Sequence, residues 1–366
     1  MRDIAGHRLV NQQIEATGFT TPQQLVYWMG AMQAQDYNMA KWAIGSRIRS
    51  MTDAAVEQAI NCGEIIRTHI MRPTWHFVAA EDIYWMLDLT ANRIKASLKS
   101  RHKQLELTDK ILNKGLSVIE KALLGEVHLT RAELLSELVN AKIMMNTERG
   151  SHLLLLAELE GLICSGSKKE NQLTYALLNE RVPKKVLLNK EEALARLAEK
   201  YFNSHGPATL QDFVWWSGLQ VREAKFAMEL IKDKFQAFEF NAQVYWHANK
   251  SIISVKTWRS AILLPAFDEF IISYKDRSAA LTFDDHRKTV SINGIFRPII
   301  ICDGKVQGIW KKSVKKDHVK VEVQFFSDQW LQNDERSKLI EAAESYGYFL
   351  KRKVELKFAP MTAPGS

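Results

Sequence analysis

The chain has 366 residues, which is too long for one ordinary core, so we expect two to four domains. Hydrophobic residues make up 46% and charged residues 25%, which excludes a disordered chain and is typical of a globular protein. The formal net charge is +8, a modest excess that is compatible with a phosphate polyanion as the partner.

Isolated cysteines and the lack of a long apolar run exclude further classes. Cys62, Cys164 and Cys302 form no CxxC pair, which argues against a zinc site and against a disulfide framework. No apolar stretch approaches the roughly 18 residues of a membrane span, and the N-terminus lacks a signal-peptide pattern. We therefore expect a cytoplasmic protein with no metal and no organic cofactor.

Helical periodicity dominates residues 1–232, where helices followed by two short strands recur. The first unit is predicted to contain helices at 4–16, after Thr20-Thr21-Pro22, from Asn38 and from Thr52, and a hairpin of 65–70 and 74–78 with Pro73 at its bend. The second is predicted to contain helices at 108–123 and after Thr130, a third helix that carries Leu153, Leu154 and Leu156 and runs to Glu160-Gly161, and a hairpin of 162–164 and 173–177. The third is predicted to contain helices at 190–203, 210–216 and 220–232, and strands at 235–240 and 243–248. Helices followed by a hairpin indicate winged helices.

From about residue 260 the periodicity changes to that of strands. We expect strands at 261–264, 270–274, 299–302, 306–310, 318–325 and 353–358, one helix at 334–349, and a disordered tail at 359–366. Short antiparallel strands with one helix suggest a small barrel or sandwich. The predicted fold is α+β, with three tandem winged-helix units (1–104, 105–186, 187–256) and a C-terminal β-barrel-like domain (257–360).

Basic side chains on several units would anchor a duplex backbone. In the first hairpin, strand alternation puts Arg67 and His69 on the face away from the core, while Trp75 and Phe77 are assigned to the core. Each basic group alone is as compatible with ordinary surface charge. The candidate DNA contacts are Arg67, His69, Arg72, His76, Arg93, Lys95, Lys99, Lys168, Lys169, Arg277, Arg287, Lys311 and Lys312.

Gln33 and Gln35 are the candidate catalytic pair, although polar residues at a helix end are usually caps. In a continuous helix they would point in nearly opposite directions, so they converge only if the helix ends near Gln33 and the chain extends. The sequence contains no phosphate-binding glycine loop, no HExxH and no GxSxG. Asp284-Asp285 beside His286 is a weak metal candidate, and Asp268-Glu269 is read as a turn or a loop anchor.

Several strings resemble the bacterial winged-helix DNA glycosylases of the AlkZ and YcaQ type, in order and spacing over about residues 5–358. They are Gln33–Gln35, Arg67–His76, Leu264–Phe270, Tyr274–Arg277, Gly294–Pro298, Asp303-Gly304 and Gly308–Trp310. The resemblance implies three winged helices and a barrel around a basic concave surface, and excision of bulky, cationic or crosslinked N-alkylated bases. It also implies that Gln33 and Gln35 hold the catalytic water. Pro73 stands where the family pattern has a smaller residue.

The leading hypothesis is therefore a monofunctional DNA glycosylase without a metal, acting as a monomer on damaged double-stranded DNA and associated with the nucleoid when bound. The alternatives are a non-catalytic DNA-binding protein, such as a regulator or damage-binding factor, and a protein–protein scaffold. Base release from alkylated duplex separates the first reading from the second. Salt-sensitive DNA binding separates both from the third.

Overall fold

The computed structural model describes residues 3–15, 17–248, 261–327 and 333–359. Its fold is mixed α+β: three small sheets of three strands, each accompanied by helices, precede a curled half-barrel sheet of five strands. No helix in these ranges is long and apolar enough to cross a membrane.

The N-terminal part forms the first small sheet, in the order β1-β3-β2 with antiparallel pairing throughout. Its elements are α1 (Ile4–Asn11), α2 (Pro22–Met29), β1 (Ala31–Gln33), α3 (Tyr37–Gly45), α4 (Asp53–Asn61), β2 (Ile65–His69), β3 (Trp75–Ala79) and α5 (Ile83–Gln104). Thr21 forms a capping box with Gln24 at the start of α2, and Thr52 caps α4. The predicted hairpin is present, whereas β1 and the long α5 were not predicted.

The next two parts repeat the arrangement, with the last strand of each hairpin in the middle of its sheet. One contains α6 (Asp109–Leu123), β4 (Leu129–Thr130), α7 (Arg131–Asn140), α8 (Thr147–Leu159), β5 (Ile163–Ser165), β6 (Thr174–Leu177) and α9 (Leu178–Arg181). The other contains α10 (Lys190–His205), β7 (Ala208–Thr209), α11 (Leu210–Ser217), α12 (Val221–Ile231), β8 (Phe235–Phe240) and β9 (Gln243–Ala248). The predicted helices and hairpins lie within a few residues of the observed ones.

The C-terminal part forms the five-stranded sheet, in the order β10-β11-β12-β13-β14. Its elements are β10 (Ala261–Leu264), α13 (Glu269–Ile272), α14 (Phe283–Thr289), β11 (Ile299–Cys302), β12 (Lys305–Val314), β13 (His318–Phe325), α15 (Asn333–Leu350) and β14 (Lys353–Phe358). The boundary predicted at residue 256 and residues 360–366 of the predicted tail lie outside the described residues.

Two predictions for this part are wrong. Residues 270–274 do not form a strand, because the Asp268 carboxylate accepts the N–H of Phe270 and starts the short helix α13. The sheet is also not fully antiparallel, since β14 runs parallel to β13. Helix α15 connects these two strands, and a parallel pair needs such a crossover.

Apolar packing joins the first sheet to two neighbours. One face, including Ile66 and Val78, packs in a core with Tyr201 and Trp216 from α10 and α11. The residues of the opposite face, such as Met32 and Phe77, belong to a core that continues into the C-terminal sheet and α15. The segment around β1 is therefore held between the third helical part and the C-terminal sheet.

A buried ion pair crosses the same junction. The side chain of Arg47 is fully buried, and it donates at 2.8 Å to each carboxylate oxygen of Asp268. Its remaining N–H groups bond the carbonyls of Gln12 and Ala43 and the Gln12 side chain, so the whole guanidinium is satisfied. This pair fixes the turn that precedes α13 against α1 and α3.

We expect Arg47→Met to destabilise the protein by about 3–5 kcal/mol, because it leaves the Asp268 carboxylate buried without its cation. Equilibrium denaturant unfolding measures the effect. Arg101→Met, which breaks an exposed pair with Glu148, is the matched control and should cost less than about 1 kcal/mol. Equal losses in the two variants would contradict the assigned role of Arg47.

Candidate active site

The two glutamines lie between α2 and α3: Gln33 is the last residue of β1, and Gln35 lies in the bend before α3. Helix α2 ends at Met29, and Gly30 has a φ of 77°, a left-handed value at which the chain leaves the helical path. Residues 31–33 pair with β3, Gln33 stands opposite His76, and the N–H of Ala34 donates to the carbonyl of Trp75. The helix thus ends before the motif, earlier than predicted. The pairing with β3 ends at Ala34, and Gln35 begins the bend that leads into α3.

The segment is held at Gln33 through both its backbone and its side chain. The backbone N–H donates to Oε1 of Glu269 at 2.6 Å, and the side-chain Oε1 accepts from Nη2 of Arg72 at 3.3 Å. Gln33 is only 7% exposed, whereas Gln35 is exposed. One amide is therefore fixed and the other is accessible.

Arg67 holds the peptide that joins the two glutamines. Its Nε and Nη2 both donate to the carbonyl of Ala34 at 3.0 Å, and its guanidinium lies 4.0 Å from the Trp75 ring centre. The residue is 8% exposed, so the expectation that Arg67 lies on the face away from the core is wrong. Arg67 and His69 lie on the same face of the sheet as Phe77 and Trp75, their partners in β3. This face packs against α8 and contributes to the core that continues into the C-terminal sheet.

Glu269, which supports Gln33, lies in a buried polar cluster. Its other carboxylate oxygen accepts a hydrogen bond from Ser273 and lies 3.7 Å from Nε2 of His205. Burial by itself would raise the pKa of the Glu269 carboxyl, but His205, Ser273 and the Gln33 N–H lower it to about 2. Glu269 is therefore an anion directly behind the backbone of the motif.

His76, opposite Gln33, is a neutral imidazole. Complete burial, together with the charge of Arg72, lowers its pKa to about 3. Nδ1 lies 2.9 Å from the carbonyl of Thr74, and since a carbonyl only accepts, Nδ1 carries the proton. Nε2 is then a lone-pair acceptor on the same face of the sheet as the Gln33 side chain.

His69, on the other face, contacts the second helical part. Its ring nitrogen contacts the fully buried carboxylate of Glu158 on α8, and its ring lies 4.0 Å from that of Trp75. Burial raises the pKa of Glu158 despite this contact. His69 therefore contributes to the same packing as Arg67.

Charged residues also surround the turn that follows Gln35. The Tyr37 hydroxyl donates to Glu57 at 2.6 Å, and Lys168 lies 3.5 Å from the same carboxylate. Lys312 is half-buried, which lowers its pKa, and it interacts electrostatically with Asp36. Lys168 and Lys312 are brought to this turn from the second hairpin and from the C-terminal sheet, respectively.

The remaining basic candidates are spread over the surface and differ in their contacts. Arg93 donates to the carbonyl of Met71 at 2.6 Å, and Arg277 donates to the carbonyl of Ile271 and lies near the Trp215 ring. Lys95 and Lys169 pair with carboxylates on neighbouring helices. The side chains of Lys99, Arg287 and Lys311 are exposed. Contact of any of these residues with DNA stays a prediction.

No group of His, Cys, Asp or Glu within the described ranges is arranged to hold a metal ion. In the Asp284-Asp285-His286 string, Asp285 instead accepts from the hydroxyl of Thr282 and pairs with Lys288. The reading of Asp268-Glu269 as a loop anchor is confirmed for Asp268. The contact of Glu269 with Gln33 was missed, because 236 positions separate the two residues in the chain.

The chain is similar to known DNA glycosylases in sequence and in fold. The family model described as DNA glycosylase AlkZ-like matches residues 26–349. The interstrand DNA cross-link repair glycosylase of Streptomyces sahachiroi is 22% identical over 333 residues, which cover 85% of this chain and 87% of the relative. The solved structure of Streptomyces sahachiroi DNA glycosylase AlkZ has a TM-score of 0.81 at 19% identity, covering 98% of each chain.

We expect Glu269→Gln to remove a contribution to the free energy of unfolding that depends on pH. A carboxyl whose pKa is lowered on folding stabilises the protein at pH values above its ordinary pKa. This contribution is lost as the pH falls toward the pKa of the folded state, which is about 2 for Glu269. The difference in unfolding free energy between wild type and variant should therefore shrink by about 3 kcal/mol between pH 6 and about pH 2.

Thermal unfolding across this range measures the difference, and Glu160→Gln on the surface controls for the loss of one carboxylate. A constant difference at all pH values would show that the charge of Glu269 does not stabilise the fold.

Proposed function

Because the chain belongs to the AlkZ-like DNA glycosylase family, we propose that it hydrolyses the N-glycosidic bond of bulky or cationic N-alkylated bases in duplex DNA. The relative from Streptomyces sahachiroi is named for interstrand cross-link repair, and we extend that substrate class to this chain. The observation that carries the proposal is the pair of neutral amides at the end of β1 and in the bend that follows it. Gln33 is buried and held by charges, and Gln35 is exposed beside it.

The reaction needs few catalytic groups because the positive charge of the alkylated base makes it a good leaving group. A purine alkylated at N7 is positively charged, so it takes the electron pair of the breaking glycosidic bond and leaves neutral, without a general acid. The oxygen of a water molecule then bonds to the anomeric carbon of the oxocarbenium-like sugar and releases a proton to solvent. Two amides that orient this water supply the positioning that such a reaction requires.

The charges near the motif suit this reaction. Of the two carboxylates next to the motif, Glu269 is buried behind the backbone, and Asp36 caps α3 by accepting from the N–H of Met39. His76 is neutral, so it adds no positive charge opposite Gln33 where a cationic sugar would form. Neutral amides favour cationic lesions over normal bases because they give little help to a poor leaving group.

We further propose that residues 1–104, 105–186 and 187–256 act as winged helices that bind the duplex together with the C-terminal domain, as a monomer. Lys168 and Lys312 beside the motif, and exposed Lys99, Arg287 and Lys311 farther away, would contact phosphates. Arg67 and His76 are buried, and we assign them to support of the motif rather than to the phosphate backbone.

Incubation with duplex that contains a 7-alkylguanine should release the alkylated base and leave an abasic site, which alkaline strand cleavage detects. Gln35→Ala should slow the single-turnover rate by about 100-fold, because the water loses one of its two positioning groups. Gln104→Ala, at an exposed glutamine on α5, is the matched control and should keep the wild-type rate. If wild type binds DNA but releases no base from several lesions, the protein is a non-catalytic DNA-binding protein.

Arg287→Ala and Lys311→Ala should weaken binding to any duplex and reduce the salt dependence. Removing one cation that neutralises a phosphate should lower the slope of log binding constant against log salt concentration by about 0.9. Fluorescence anisotropy at several salt concentrations measures the slope, with Lys110→Ala on α6 as a surface control. An unchanged slope in both variants would remove these residues from the DNA surface.

A further inference from the structure

The hydrogen bond between Arg72 and Gln33 determines which end of the Gln33 amide is available. A guanidinium has only N–H donors, so the atom that meets Nη2 of Arg72 at 3.3 Å must be the amide oxygen. The NH2 group then lies at the opposite edge of the planar amide, away from Arg72. The contact with Arg72 therefore defines the orientation of the Gln33 amide, whose oxygen and nitrogen are alike in size and shape.

The surroundings prevent the amide from turning over. An inverted amide would place its NH2 against the guanidinium, donor against donor, in a buried place where an unmade hydrogen bond is costly. The buried anion of Glu269 lies close enough to interact electrostatically with Arg72, so the positive charge of this arginine is balanced behind the motif. The Gln33 backbone is held by the same carboxylate.

Gln35 is under no such constraint. Its side chain is exposed and makes no hydrogen bond within the described part of the chain. It can therefore turn either its oxygen or its NH2 toward a molecule that Gln33 already holds.

We propose that Arg72 is a positioning residue that makes Gln33 the hydrogen-bond donor to the attacking water and leaves Gln35 as the acceptor. This proposal rests on the proposed glycosylase function. It assigns different roles, donor and acceptor, to two residues of the same type. The Gln33 NH2 donates to one lone pair of the water, and a water hydrogen donates to Oε1 of Gln35. The second lone pair of the water remains directed at the anomeric carbon.

This division predicts unequal effects of the same substitution. Gln33→Glu replaces the donor by a second acceptor next to Arg72, so the single-turnover rate at saturating protein should fall about 100-fold. Gln35→Glu keeps an acceptor oxygen, so its rate should stay within about 5-fold of wild type. Gln104→Glu, at a surface glutamine that also accepts from an arginine, is the matched control. Equal losses in the two motif variants, or a larger loss in Gln35→Glu, would overturn the division.

The role of Arg72 itself is tested by Arg72→Met and Arg72→Lys. The methionine variant should lose about 10-fold in rate at saturating protein, because the Gln33 amide is no longer held in one orientation. The lysine variant keeps a donor and should recover part of that loss. Arg149→Met, at an arginine that donates to two backbone carbonyls far from the motif, controls for the loss of a half-buried guanidinium. A wild-type rate in Arg72→Met would overturn the role of Arg72.

A readout without catalysis separates this inference from the proposed function. In an atomic-resolution crystal structure of the uncomplexed protein, the shorter carboxamide bond identifies the oxygen of Gln33. Oxygen toward Arg72 supports the inference, and nitrogen toward Arg72 refutes it. Failure of wild type to release any base would instead refute the glycosylase function, whichever way the amide points.

Discussion

The hydrogen bond from the Gln33 N–H to the buried carboxylate of Glu269 connects the candidate site to the rest of the molecule. It joins an edge strand of the first sheet to a one-turn helix 236 positions later, and that helix is anchored in turn by the Arg47–Asp268 pair. Buried charges are costly unless every partner is in place. The position of the motif therefore depends on the assembly of the N-terminal part with both the third helical part and the C-terminal sheet.

A second set of contacts reaches the motif from the other side. Arg67 bonds the carbonyl of Ala34, its own backbone N–H donates to Ser165 of β5, and His69 contacts Glu158 of α8. The second helical part thus contacts the strand that supports the motif, and it brings Lys168 to the turn after Gln35. Three parts of the chain, besides the one that carries the glutamines, determine the surroundings of two amides.

The sequence predicted the elements that local signals define, and missed those that tertiary contacts define. Thr21, Thr52 and Thr130 each cap a helix that was predicted, because capping is a property of neighbouring residues. Strand β1 was missed because it is three residues long and Met32 continues the apolar spacing of α2. The burial of Arg67 could not be predicted, since its side chain contacts Ala34 and Trp75, which come beside it only in the folded sheet. Gln33 and Gln35 were singled out as a pair that needs the helix to end, and α2 ends before them, but the partners Arg72, Glu269 and Arg67 depend on the three-dimensional fold.

The charged groups around the motif lie behind its neutral amides. The charged groups of Glu269, Arg67 and Arg72 hold the Gln33–Ala34 segment from buried or half-buried positions, each bonded to the backbone or to an amide oxygen. The exposed side chain of the motif, Gln35, is a neutral amide. An exposed carboxylate at position 35 would weaken the binding of DNA, because it would repel the phosphates. Placing the ions behind the neutral amides gives the rigidity of charged hydrogen bonds without that repulsion. Because Arg72 is one of these ions, the fold determines the orientation of the Gln33 amide, whereas the amide of Gln35 can rotate to suit a bound molecule.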